Sequence, residues 1–478
     1  MLITSSQRRK LFCLGGIVLM VALVVPLQHE ISARQQTYGL DEATLGDVDP
    51  SSAAMNLVLV GLRGVAANLL WSEALDLQKN HDWPHLKTVV DSIVLLQPHF
   101  LEVWRFQGWN MAFNVVAEYD EARDKYDWIK AGANFLKEGV RRNQQSVDLM
   151  WSTAWIYHQK LGRSDEAPVM RLLFNEDEDR DFNSRGSDRW DNYLEAYGWF
   201  RRGSDTSTQL GREPRSMAAA IFHTYPAHAK TQHAVALEKD GTFGEVAREA
   251  WTDCLDEWTK LGLQKEHKVR DGLAIRLLYA PEDLQALNDE QRFWYDRYRW
   301  MTNYPYWLER AQVERLPGTL ESRQIFWEGD RAFAQADLPK AREMYEKALA
   351  LWQKVLDIRQ DPPHQDLLRY REFVVDANTR DDTFEIVKRY INILAQLGEP
   401  KPDKIPFEAE LLELTEMRER ARQAAAAAKK AKPADEDSDH EHPPGSTTPP
   451  PGQAPPPKPE SQAAPNRSPP VKPDAQPK

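Results

Sequence analysis

The 478-residue sequence has only 2 cysteines, too few for a disulfide framework or a four-thiolate metal site. It also lacks a long basic block. Its 61 Lys and Arg against 73 Asp and Glu give a formal charge of −12, which argues against a nucleic-acid partner. Nucleophile-elbow, phosphate-binding glycine-loop, zinc-protease and dinucleotide motifs are missing as well. We therefore predict no catalytic residues, no cofactor and no metal site.

Aromatic residues and prolines divide the chain into distinct parts. All 16 tryptophans lie between Trp71 and Trp352, whereas 15 of the 31 prolines lie at or after Pro433. This distribution, together with hydropathy, predicts a series of segments. They are a cytoplasmic N-terminus at 1–10, a transmembrane signal anchor at 11–27, a linker at 28–50, a helical body at 51–400, a C-terminal helix at 401–432 and a disordered proline-rich tail at 433–478.

The apolar run from Leu11 to Leu27 predicts a single membrane-spanning helix. Its 17 uncharged residues would span about 25 Å as a helix. The basic residues Arg8 to Lys10 precede it, so the positive-inside rule places the N-terminus in the cytoplasm and the body on the far side. A cleaved signal peptide is the alternative, but Ile31 to Ala33 offers a poor cleavage site. We favour the uncleaved anchor.

The body shows helical periodicity and an internal repeat. An offset of 46 residues aligns Leu101 with Val147 and Trp109 with Trp155, each near the start of a predicted helix. The repeat predicts stacked helix pairs, in which Trp109 and Trp155 pack between helices.

Residues 321–356 resemble a tetratricopeptide repeat. In that motif, small residues let two helices approach closely and an aromatic side chain fills the gap between them. The residues at the matching positions are Gly329, Ala341, Tyr345 and Ala348. Ala332 replaces the aromatic residue of the first helix, so the unit is degenerate. The resemblance implies an all-α fold of stacked helical hairpins, a TPR-like solenoid.

A broader resemblance joins the anchor to four short stretches. These are Trp109, Phe222 to Tyr225, Gly241 with Gly244, and Thr302 to Tyr304. The combination is similar to a group of tetratricopeptide-like membrane proteins from planctomycete-type bacteria, some of which carry the label "iron responsive element". That label names an RNA feature and implies no chemistry in these residues. With the charge rule, the resemblance implies a single-pass protein of the bacterial inner membrane with a periplasmic body.

Residues 292–307 are the densest aromatic and arginine stretch of the chain. The spacing of three aromatics fits a core stripe: Trp294, Tyr298 and Trp307. Tyr295 and Tyr306 are expected to face elsewhere. Exposed aromatic rings beside arginine suit a peptide or a sugar ring, but we favour packing within the helical body for this stretch. The candidate binding residues are Trp294, Tyr295, Tyr298, Trp300, Tyr304, Tyr306 and Trp307.

Two further patterns partly match metal sites. The oxygen spacing of a calcium loop occurs at Asp177, Asp179, Asp181, Asn183 and Asp188. Phe182 replaces the turn glycine, so we favour a solvated acidic loop. A five-residue recurrence of histidine occurs at His223, His228 and His233. Helical ligand pairs are usually three or four residues apart, so we favour ordinary polar contacts.

The tail cannot bury a core, because from Pro433 it contains few apolar residues and no aromatics. We expect disorder with partial polyproline II character. We favour a spacer, with a docking strip as the alternative. The whole chain then predicts a membrane-anchored extracytoplasmic scaffold that binds a partner protein or peptide without catalysis. The alternative is a glycan- or cell-wall-binding module that uses exposed tryptophan and tyrosine.

Overall fold

The structure is a computed structural model that describes residues 63–186, 190–356 and 382–431. Helix makes up 75% of it, in 17 α-helices, which confirms the predicted all-α class. The predicted anchor at 11–27 and the tail from Pro433 lie outside the described residues. Within the described ranges, no helix is both long enough and apolar enough to cross a membrane.

The chain divides after Leu210 into two compact units. The first contains seven described α-helices. They are α1 Arg63–Lys79, α2 Trp83–Leu96, α3 Leu101–Trp109, α4 Ala122–Arg142, α5 Val147–Trp155, α6 Ala167–Glu176 and α7 Asn192–Leu210. Local signals explain where they begin. At the start of α2, for example, the Asp82 carboxylate accepts a hydrogen bond from the His85 backbone and Pro84 occupies the first turn.

The 46-residue repeat is visible in the backbone of the first unit. Helices α3 and α5 begin at equivalent positions, and both change into a π-helix directly after the aligned tryptophan. The π-helices are Asn110–Asn114 and Ile156–Leu161. Trp109 stacks on Phe113 at 4.0 Å between ring centroids, and Trp155 stacks on Trp151 at 4.8 Å. The aligned tryptophans are half-buried and stack along their own helices, while Trp104 is fully buried.

The second unit contains ten described α-helices and one β-hairpin. The helices are α8 Ala219–Phe222, α9 Tyr225–Lys239, α10 Glu245–Gln264, α11 Pro281–Gln285, α12 Asp289–Thr302, α13 Tyr304–Glu314, α14 Pro317–Ala334, α15 Leu338–Leu356, α16 Asp382–Leu397 and α17 Glu408–Ala431. Strands β1 His267–Arg270 and β2 Leu273–Ile275 pair antiparallel. The all-α prediction omitted this hairpin, although Asp271-Gly272 is a known hairpin turn signal. Gly272 adopts the left-handed conformation there.

Helices α14 and α15 form the helix pair predicted at 321–356. A side chain at Gly329 would lie 2.6 Å from Cε1 of Tyr345, so only glycine permits this approach. Ala341, Tyr345 and Ala348 are fully buried at the interface. The Tyr345 hydroxyl donates a hydrogen bond to the Asp330 carboxylate at 2.5 Å. The four predicted packing residues therefore lie where the two helices meet.

Candidate functional site

Helix α12 carries most of the aromatic stretch that the sequence singled out. It begins with a reciprocal capping box, in which the side chains of Asn288 and Gln291 each accept a hydrogen bond from the other's backbone. It ends at Asn303, whose left-handed conformation turns the chain directly into α13. Arg299 fixes the helix further by donating a hydrogen bond to the Leu277 carbonyl at 2.6 Å.

The seven predicted binding aromatics do not form one surface. Three are buried: Tyr295, Tyr304 and Tyr306. Three are half-buried: Trp294, Tyr298 and Trp307. The expectation that Tyr295 and Tyr306 face away from the core is wrong, because Tyr295 packs on Tyr279 at 5.6 Å and Tyr306 belongs to the core around α15. Trp300 is the remaining member, and it is exposed.

Trp300 is 79% exposed, and it alone of the 16 tryptophans, all within the described ranges, has a mostly exposed side chain. Phe293 is 60% exposed and lies two helical turns earlier, which places both side chains on one face of α12, with their backbone positions about 10.5 Å apart along the helix axis. Asp296 and Arg297 lie between them and are exposed. Within the described residues, neither forms an ion pair. We call these four residues the α12 aromatic face.

A second cluster, of charged side chains and one tryptophan, is largely buried among α9, α10, α13 and α14. The Arg323 guanidinium donates two hydrogen bonds to the Glu314 carboxylate, at 2.9 and 3.0 Å, and Arg310 lies 3.7 Å from it. The indole of Trp251 donates to Glu238 at 2.7 Å. Burial, reinforced by the charge of Glu314, raises the pKa of the Glu238 carboxyl to about 7. We call these five residues the Glu–Arg network.

No sequence pattern predicted the Glu–Arg network. Its members lie on four helices, and the paired carboxyls of Glu238 and Glu314 are far apart in the chain. Buried carboxyls with shifted pKa values can mark catalytic sites. Here both carboxylates already accept hydrogen bonds from the protein, so the arrangement is that of an internal polar network.

The carboxylates of the acidic loop after α6 form ion pairs with a lysine side chain of the same chain. The ammonium of Lys130 lies 2.8 Å from Asp177 and 3.1 Å from Asp179, and Tyr126 donates a hydrogen bond to Asp177 at 2.7 Å. Burial pushes the pKa of Asp177 upward, but the hydrogen bonds from Lys130, the backbone and Tyr126 outweigh it and hold that pKa below its usual value. The first two oxygen positions of the calcium-like pattern are thus engaged by Lys130.

The three periodic histidines have different surroundings. His228 contacts the rings of Trp258 and Trp307 at 5.0 and 4.8 Å, and His223 lies 6.3 Å from His267 between ring centroids. Burial, followed by the nearby charge of Lys265, lowers the pKa of His223 to about 3. In the part of the chain that the structure describes, no three His, Cys, Asp or Glu side chains are placed to hold a metal ion.

Comparisons of this chain with protein-family models, with curated proteins and with solved structures give no match. Among these clusters, the α12 aromatic face is the one whose large apolar side chains are open to solvent, whereas the Glu–Arg network and the acidic loop are closed by their own protein partners.

Proposed function

We propose that the protein is a membrane-anchored, extracytoplasmic, TPR-like scaffold that binds a partner protein or peptide and performs no catalysis. The observation that carries this proposal is the exposure of Phe293 and Trp300 on one face of α12. Burying such a ring contributes about 1.5–3 kcal/mol, and aromatic side chains with arginine dominate the energetic centres of protein interfaces.

The setting of α12 favours binding over a chance surface exposure. Arg270 pairs with Glu290 at 2.9 Å in the first turn, and Arg299 is tied to the Leu277 carbonyl. The helix is therefore held in place before a partner arrives, which reduces the entropy lost on binding. Arg297 adds a cation with several donors between the two rings, suited to a backbone carbonyl or a carboxylate of a partner.

Capture from solubilised membranes tests the proposal. Full-length protein and its Trp300→Ala variant are used as bait, with Leu263→Ala as the matched control, since Leu263 is also exposed but lies on α10. We expect a stoichiometric protein with the wild type and the control, and at least tenfold less of it with Trp300→Ala. Recovery of no stoichiometric protein, or equal recovery by all three baits, would contradict the proposal.

A glycan- or cell-wall-binding module is the second candidate. One feature favours it: the indole of Trp300 is open and makes no ring contact within the described residues, as a platform for a sugar ring requires. Pelleting with peptidoglycan separates the two functions. Co-sedimentation of the wild type that is lost in Trp300→Ala supports glycan binding. Failure of the wild type to sediment with peptidoglycan contradicts glycan binding and favours a protein or peptide partner.

The membrane location rests on the residues at 11–27, and fractionation tests it directly. Retention in the membrane after a carbonate wash, with release by detergent, is expected for an uncleaved anchor. Release by carbonate alone would contradict the anchor, and N-terminal sequencing of the released protein would then reveal a cleaved signal.

A further inference from the structure

The α12 aromatic face has a spacing that suits a polyproline ligand. Phe293 and Trp300 are separated by about 10.5 Å along the helix axis. In a polyproline II helix, residues three apart are separated by about 9.3 Å along the axis and lie on the same side. Two prolines at that interval can therefore contact both rings at once. Such segments lose little entropy on binding, which is why aromatic surfaces recognise them.

The tail of the same chain contains a short motif with this interval, and it occurs twice. Proline, any residue, lysine, proline and an acidic residue follow one another at Pro456–Glu460 and again at Pro470–Asp474. In each copy the two prolines are three residues apart, and the lysine and the acidic residue stand beside the second one.

The charges of the motif complement those of the face. Asp296 and Arg297 are exposed between the two rings and form no ion pair within the described residues. The motif supplies one lysine and one carboxylate, Lys458 and Glu460 in the first copy. With the prolines on the rings, the lysine can pair with Asp296 and the acidic residue with Arg297. Exposed pairs of this kind contribute register more than affinity.

The chain is long enough for the contact to form within one molecule. The first copy begins 25 residues after Ala431, the last residue of α17. That many residues can extend about 80 Å, roughly twice the length of α17 itself, which is about 36 Å. A tethered ligand also binds at a high effective concentration, so a weak motif suffices.

We propose that the Pro-x-Lys-Pro-acid motifs of the tail dock on the α12 aromatic face of their own chain and cover it until an external partner displaces them. The inference rests on the proposed function for the identity of the binding face. On this proposal the tail regulates access to the binding face and is more than a spacer. The ligand class of the face is a polyproline II segment with an adjacent carboxylate.

Site-specific photo-crosslinking in the full-length protein tests this. The photoreactive residue p-benzoylphenylalanine is placed at Pro457 and, separately, at Val471, the positions that the motif leaves open; Thr447, outside both copies, is the control. We expect intramolecular cross-links from 457 or 471 to peptides within 293–310, and at least fivefold fewer from 447. Trp300→Ala should abolish them.

Charge reversal supplies the specificity control. The double variant Glu460→Lys with Asp474→Lys should cross-link at least fivefold less than the wild type. Adding Arg297→Glu to it should return cross-linking to the wild-type level. Cross-links that join two chains, that reach other surfaces, or that ignore these substitutions would overturn the proposal.

The outcome is separable from that of the partner capture. If wild-type bait recovers a partner that Trp300→Ala loses, yet no tail cross-link reaches α12, only the docking inference fails. If the tail cross-links as expected and no partner is captured, only the scaffold function fails. Removal of both motifs by Pro→Ala substitution should raise partner capture at least twofold where both hold.

Discussion

The acidic loop of the first unit and the Glu–Arg network of the second are both carboxylate clusters closed by cations, but they differ in burial. The side chain of Asp179 is 37% exposed beside Lys130, whereas that of Glu314 is 1% exposed beside Arg323. Asp177 is only 10% exposed, but water still solvates Asp179, so the ion pair of Asp179 replaces hydration at little cost. Water reaches almost none of Glu314, so the partners of its carboxylate are the guanidinium groups of Arg323 and Arg310.

The two clusters also respond to pH in opposite directions. Asp177 and Asp179 have pKa values below the ordinary 3.8, so they stabilise the fold above that pH and lose this contribution as pH falls through their folded-state pKa. Glu238 has a raised pKa, so it favours the fold below its unfolded value of 4.5 and loses that contribution as pH rises through about 7. Burial raises the pKa of Glu238, which lacks a strong cation partner, whereas pairing with Lys130 lowers the pKa values of Asp177 and Asp179.

The largest expected effect comes from removing the main cation of the buried network. Arg323→Ala leaves Glu314 with only the more distant Arg310 and also removes the guanidinium that lies over the Trp352 ring at 4.5 Å. We expect the free energy of unfolding to fall by about 3–5 kcal/mol. Urea denaturation of the full-length protein measures it.

Arg420→Ala is the matched control, because the Arg420–Glu416 pair on α17 is exposed. It should cost less than about 0.5 kcal/mol. Equal losses in the two variants would mean that burial does not set the value of the pair.

The next effect is expected in the acidic loop. Lys130→Met removes the cation shared by Asp177 and Asp179 and leaves two like charges together. We expect a loss of about 1–2 kcal/mol at neutral pH, shrinking in acid as the carboxyls become protonated. Lys79→Met, in the exposed pair with Asp76, serves as the control.

Millimolar calcium provides a second measurement on the loop. Because Lys130 already engages the carboxylates, we expect the wild-type thermal midpoint to stay unchanged. A clear rise with calcium would show that the cation displaces Lys130 and would restore the calcium interpretation of this sequence pattern.

The pH dependence of stability that we expect from the Glu–Arg network can be tested with Glu238→Gln. Gln keeps an oxygen that can accept the hydrogen bond from Trp251 but cannot ionise. The wild type should lose stability relative to the variant as pH rises from 4.5 through about 7, reaching a difference of about 3 kcal/mol above that range. A difference that is independent of pH would remove Glu238 as the source.

The smallest effect on the free energy of unfolding is expected for a large side chain that is exposed and has no charged partner. Trp300→Ala should change the free energy of unfolding by less than about 0.5 kcal/mol. Trp258→Ala is the contrast, since that ring is fully buried and should cost about 3–5 kcal/mol. A large loss at Trp300 would mean that the ring stabilises the fold and is not available to a partner.

The local architecture could largely be predicted from the amino-acid sequence. The 46-residue repeat anticipated the equivalent helices α3 and α5, and the Gly329–Tyr345 spacing anticipated the contact between α14 and α15. These features depend on residues that are close in the sequence, or on patterns that repeat with helical periodicity, so they can be predicted from the linear sequence.

Which side chains are exposed and able to bind a partner depends on how the helices pack in three dimensions. This packing buried Tyr295 and Tyr304, left Trp300 exposed, and brought His223 beside His267 and Glu238 near Glu314. Helical periodicity says which residues share a face, but not whether another element covers that face. Burial and the pairing of distant charges depend on how whole helices pack, and that packing is set by contacts between parts of the chain that no local pattern connects.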